Sequence, residues 1–155
     1  MSMFEPQVEH YKKKYTSLVN SISAMSIMSI AKSYGVSEEA LRSGLETNNE
    51  TFRRFCLNYA STLMPGRVSC TTYAAVVACV AKMLGVECKV YTGFCLQKNS
   101  PRYQKDRGDW DAKHNAGEAH PFFANHVFAV ISGVPFEYFN GDFDGIDHVD
   151  VVEIN

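Results

Sequence analysis

The stretch Val68-Ser69-Cys70-Thr71-Thr72-Tyr73-Ala74-Ala75-Val76-Val77-Ala78-Cys79-Val80-Ala81-Lys82-Met83-Leu84-Gly85 decides the fold. Ser69 suits an N-cap, because its hydroxyl can accept an orphan backbone N–H of a first helical turn, and Gly85 suits the residue that closes a helix. Between them the alanines, valines and single lysine predict a helix from Cys70 to about Leu84, buried on nearly every face. Such a helix needs other elements around it on all sides.

Upstream, the spacing predicts a helix from about Glu5 to Tyr34, starting near Pro6, with Val8, Tyr11, Tyr15, Leu18, Ile22 and Met25 along one stripe and Gly35 closing it. Ser37 then caps a short helix to about Leu45 whose first turn carries Glu38 and Glu39. A third helix runs from about Asn49 to Leu63 and stops at Pro65-Gly66. Downstream, Val86 to Leu96 alternates as a strand. His126 to Ile131, a Ser132-Gly133 turn and Val134 to Phe139 form a hairpin, and Val149 to Ile154 is a last strand. Residues 97–124 contain Pro101, Gly108, Gly117, Pro121 and many charges without a period. They read as a long loop that shapes a substrate entrance. Helices first and strands later give an α+β fold in one domain, 1–155. Its helical N-terminal part (1–64) packs on an antiparallel sheet within the core part (65–155).

Composition is that of a globular chain, with 46% hydrophobic and 21% charged residues. A net charge of −2 gives no general attraction to nucleic acid or to acidic lipid. The first twenty residues are charged and lack an apolar run, and Ile22 to Ala31 is too short to span a bilayer. With five cysteines, an odd number, the expectation is reduced thiols in a cytoplasmic setting.

A thiol needs help to act as a nucleophile near neutral pH, and a helix N-terminus supplies it through free N–H groups and the helix dipole. Cys70 is the only cysteine placed in that way. Cys79 lies nine residues on, a rotation of about 180° around the same helix, so it faces elsewhere. Cys56, Cys88 and Cys95 fall among apolar helix or strand residues and read as packing thiols. His126, which opens a strand, is the candidate base. A tight hairpin turn places residues 139 to 140 across from it, so the group orienting the imidazole is Asn140 by geometry or Asp142 as the better anion.

Val68-Ser69-Cys70, the helix ending Leu84-Gly85-Val86, and the strand Lys89-Val90-Tyr91-Thr92-Gly93 resemble the core of the transglutaminase-like superfamily of papain-like cysteine enzymes. The second half of the resemblance is Asn125-His126-Val127-Phe128-Ala129-Val130 followed by Pro135-Phe136-Glu137-Tyr138-Phe139-Asn140-Gly141-Asp142, so that it spans roughly residues 66 to 142. It implies a papain-like core and a triad of Cys70, His126 and either Asn140 or Asp142. It also implies an oxyanion site that includes the Cys70 backbone N–H. The activity implied is acyl transfer or amide hydrolysis (protease, deamidase or transglutaminase type) on a protein or peptide, without cofactor or metal. Phe128 stands where the superfamily usually has tryptophan. Phe128 and Trp110, the single tryptophan, are the candidates for touching substrate.

Three other patterns have plainer readings. Ala31 to Leu41 has helix-turn-helix spacing, and the alternative reading is a non-enzymatic protein of the same fold that uses the corner at 31–45 to contact protein or DNA. Yet acids at the start of the second helix oppose phosphate, and Arg42 alone remains to read bases. Asn140, Asp142, Asp144 and Gly145 begin like a calcium loop, but Val151 occupies the position that needs glutamate. His114, His120 and His126 recur every six residues, which gives metal ligands no common helix face.

Overall fold

A computed structural model describes residues 3–66, 68–138 and 145–155. Helices α1 (Phe4–Ser21), α2 (Ala24–Ser33), α3 (Glu38–Thr47), α4 (Glu50–Leu63) and α5 (Cys70–Met83) precede strand β1 (Lys89–Gln97). Then come α6 (Tyr103–Asn115), β2 (His126–Ile131), β3 (Val134–Phe136) and β4 (Ile146–Glu153). The expected α+β class with an antiparallel sheet is what the chain adopts. The sheet has the order β3-β2-β1-β4, and each neighbouring pair is antiparallel.

The buried helix is α5. Ser69 Oγ accepts the Thr72 N–H at 3.2 Å, and every residue from Thr71 to Ala81 is buried. Its surroundings explain why it has no polar face: α1 and α4 pack beside it and β2 lies beneath it. Val90, Val127, Ala129, Ile131, Phe136 and Ile154 give the sheet's share of this core. Alternation sends the intervening side chains to the opposite face, where Cys95, Phe128 and Ile146 form a second, smaller cluster with Tyr91, Val130 and Val151.

Two expectations are corrected. The first helix does not run on to Tyr34. Ile22 is extended, and Ser23 starts a new helix through a reciprocal capping box with Ser26, so one apolar stripe is divided between α1 and α2. The segment 97–124 is not a structureless loop, because α6 occupies its middle. That helix has little apolar surface and is laced by i,i+4 ion pairs: Arg102–Asp106, Lys105–Asp109 and Arg107–Asp111. Tyr103 and Arg107 anchor it to Asp147 of β4 at 2.8 and 3.0 Å.

The sheet carries two irregularities that bear on the site. Strand β3 stops at Phe136, whose partner is Ala129, so residues 126–128 of β2 lie beyond the end of the β3 ladder. Between β1 and β4 the register moves from Phe94↔Asp150 to Cys95↔His148, leaving Val149 as an extra residue in a bulge. Gly93 is required just before it, because a Cβ there would collide with the Asp150 carbonyl and the Val151 Cα. Across β1, the Asn125 side chain grips the Cys95 backbone in both directions, accepting from its N–H at 2.9 Å and donating to its carbonyl at 3.0 Å. All five cysteines are free thiols, and among the described residues no helix is long and apolar enough to cross a membrane.

Candidate active site

Cys70 is the first residue of α5, and His126 is the first of β2. The structure brings them together where β3 has ended. There the Cys70 thiol comes within electrostatic range of the His126 imidazole, with the Val127 N–H and the Thr71 hydroxyl also favouring its thiolate. A longer β3 would compete for this edge of β2. The thiol thus sits at the positive end of a helix, beside the part of β2 that β3 does not pair with.

Burial alone would raise the Cys70 thiol. The hydrogen bond and charge of His126, with the Val127 and Thr71 contacts, outweigh it and hold the thiol below its ordinary value. His126 shows the converse. Burial disfavours its cation, but hydrogen bonds and charge from Cys70 and Glu137 push it up to about 9. Each group of the pair thus favours the charged form of the other. The other four thiols all move the opposite way through burial, Cys79 to about 11, Cys88 to about 12, and Cys56 and Cys95 upward as well.

Among the described residues Glu137 holds the His126 ring, its Oε2 accepting from His126 Nε2 at 2.7 Å. With Nε2 so engaged, Nδ1 is the ring nitrogen left for the thiol. The Glu137 side chain is only 3% exposed, and its second oxygen, Oε1, accepts from His148 Nε2 at 3.1 Å. Burial would raise this carboxyl, but the two imidazoles hold it below its usual value. Asn140 and Asp142, the sequence-based choices for this role, lie outside the described residues. Glu137 escapes a reading that extends the hairpin to Phe139. Its signal is an acid one residue past a strand-ending Phe136, within reach of the histidine that starts the partner strand.

Phe128 does not face an open surface. It is 3% exposed, and its ring stacks on Tyr91 and His126 (5.8 and 5.7 Å between centroids) and leans on His148 at 4.2 Å. It supports the imidazoles from below. Trp110 is likewise buried, with its ring against His114 at 4.5 Å and the Arg107 guanidinium over it at 5.2 Å. Both partners lie on α6 itself, and Trp110 is not among the residues that line the cleft beside His126. That cleft, of about 360 Å³, opens beside His126 and is lined by Cys95, Leu96, Gln97, Ser100, Asn125, Tyr138 and Ile146. Among the described residues that line it, His126 is the one ionisable side chain besides the Cys95 thiol and the Tyr138 phenol.

The three evenly spaced histidines separate. His114 stacks on Trp110 and His120 binds Asp150, while His126 alone joins the thiol. Among the described residues no group of three His, Cys, Asp or Glu side chains is arranged to hold a metal ion. Arg42 reaches the Leu84 carbonyl at the end of α5 and Glu38 on its own helix, which occupies the one base-reading candidate of the helical corner. No protein-family model, curated protein or solved structure matches this chain.

Proposed function

We propose that the protein is a papain-like cysteine enzyme of the transglutaminase-like kind, one that transfers or hydrolyses an acyl group through a thioester on Cys70. The observation that carries the reading is the contact chain from Cys70 to His126 to Glu137, assembled at a helix N-terminus beside a cleft. Each link supplies a requirement of nucleophilic acyl substitution. The Cys70 thiolate attacks the acyl carbon, and the negative charge that develops on oxygen is met by N–H groups at the start of α5, that of Cys70 among them. His126 gives its proton to the leaving amine as the C–N bond breaks, leaving a thioester. Water or an amine then attacks that thioester, His126 takes the proton of the attacking group, and the Cys70 thiolate departs. Glu137 keeps the imidazole in one tautomer and orientation throughout.

The substrate is a protein or peptide amide that enters the cleft beside His126, and the reading places the enzyme in the cytoplasm. No cofactor enters the scheme. Native-state labelling with iodoacetamide, followed by peptide mass spectrometry, tests it. Cys70 is expected to react at least about tenfold faster than any other cysteine at neutral pH, because only its thiolate is stabilised. His126→Ala should remove most of that advantage. Equal labelling of all five thiols, or an inert Cys70, overturns the reading.

A further inference from the structure

We propose that His148 is a positioning residue of this site, holding Glu137 so that a single carboxylate oxygen is presented to His126. The inference rests on the acyl-transfer reading above and extends it to a fourth side chain. His148 lies on the far edge strand of the sheet, and regular pairing would take it away from the site. Asp150 and Val152 share one face of β4, with Asp150 turned to His120 and Val152 packed on the main core. Uninterrupted alternation would put residue 148 on that face too. The extra residue Val149 reverses the alternation, so His148 and Ile146 join Phe128 on the opposite face.

There the ring has defined neighbours. From β2, Phe128 lies under it; from beyond β3, Glu137 faces its Nε2; and on β1 its register partner is the uncharged thiol Cys95. The adjacent Asp147 is engaged by Tyr103 and Arg107 of α6. Glu137 is thus the acid that His148 serves. A carboxylate that is 3% exposed needs a partner for each oxygen, since a lone pair buried without one costs more than the bond would contribute. With only His126 available, either oxygen could rotate toward it and the geometry would blur. His148 takes Oε1 and leaves Oε2 for His126. Phe128 lies against both rings and keeps them from tilting.

The test replaces His148 with Leu, of similar bulk without a donor, and with Gln, whose amide restores an N–H. Alkylation of Cys70 is followed against pH, with melting temperatures recorded for both variants. His148→Leu should slow Cys70 near neutral pH by about tenfold, the scale of one hydrogen bond to a charged group, and shift the rise of the profile to higher pH. His148→Gln should recover most of that loss. A His148→Leu profile that superimposes on wild type, or a Gln variant no better than Leu at equal melting temperature, overturns the role. The wild-type protein gives an independent answer even if the Leu variant does not fold. Nitrogen-15 spectra of the histidines must show His148 protonated at Nε2, and a bare Nε2 overturns the proposal. A wild-type Cys70 that is inert, or indifferent to His126→Ala, is a different outcome and sinks the acyl-transfer reading itself.

Discussion

Cys70 and Cys79 stand on the same helix, and the helix treats them in opposite ways. Cys79 lies in its middle, where backbone N–H groups are spent within the helix, and its sulfur donates weakly to the Val19 carbonyl of α1 at 4.0 Å. Burial there pushes it up to about 11. Cys70 is also partly buried, yet the His126 imidazole, the Val127 N–H and the Thr71 hydroxyl favour its thiolate, and its thiol falls. The difference teaches that burial by itself silences a thiol, and that donors aimed at the sulfur reverse the outcome.

The strongest way to break this comparison is Glu137→Gln, which keeps the shape of the side chain and removes the charge that sustains the imidazolium. Cys70 alkylation at neutral pH should fall by about tenfold or more, with Cys79 unchanged, since a hydrogen bond to a charged group contributes on that scale. Unchanged Cys70 rates would mean that the helix terminus alone activates the thiol. A smaller effect comes from pH. The thiolate–imidazolium pair exists above the lowered value of Cys70 and below that of His126, about 9. Thioester formation should therefore rise from acid into the neutral range and decline above about 9, as followed by stopped-flow acylation. A rate still climbing past that point would remove His126 as proton donor. Least of all should Cys79→Ala matter. It is expected to leave Cys70 reactivity as it was and to cost about 1 kcal/mol of stability in a denaturant melt, the scale of a small core deletion.

The same contrast marks what sequence could reveal. Helix α5 was legible because its cap, its closing glycine and its apolar composition all agree, and that placed Cys70. His126 followed from the alternation of β2 and the Ser132-Gly133 turn. Helix α6 was not legible by apolar period, since Trp110 is its one buried residue. Its signal was electrostatic, in acid and base four residues apart. The break at Ile22 was hidden because a Ser23–Ser26 box uses no glutamate and the apolar stripe runs past it. Glu137 and His148 were missed for a common reason. Each depends on a departure from ideal strand pairing, an early strand end in one case and an extra residue in the other, and side-chain periodicity assumes neither.

Strand β3 is three residues long, and that brevity sets a rule for variation in this fold. The turn at Ser132-Gly133 and the end of β3 together fix how far along the chain Glu137 falls from His126. Adding one residue to the turn would exchange inward and outward side chains along the returning strand and carry the carboxylate to the wrong side. Extending β3 by two residues would complete the hydrogen-bonded edge and close off the backbone N–H that the sulfur uses. Loops elsewhere can lengthen at small entropic cost. This hairpin is a spacer of fixed length, and its tolerance for insertion should be the lowest in the molecule.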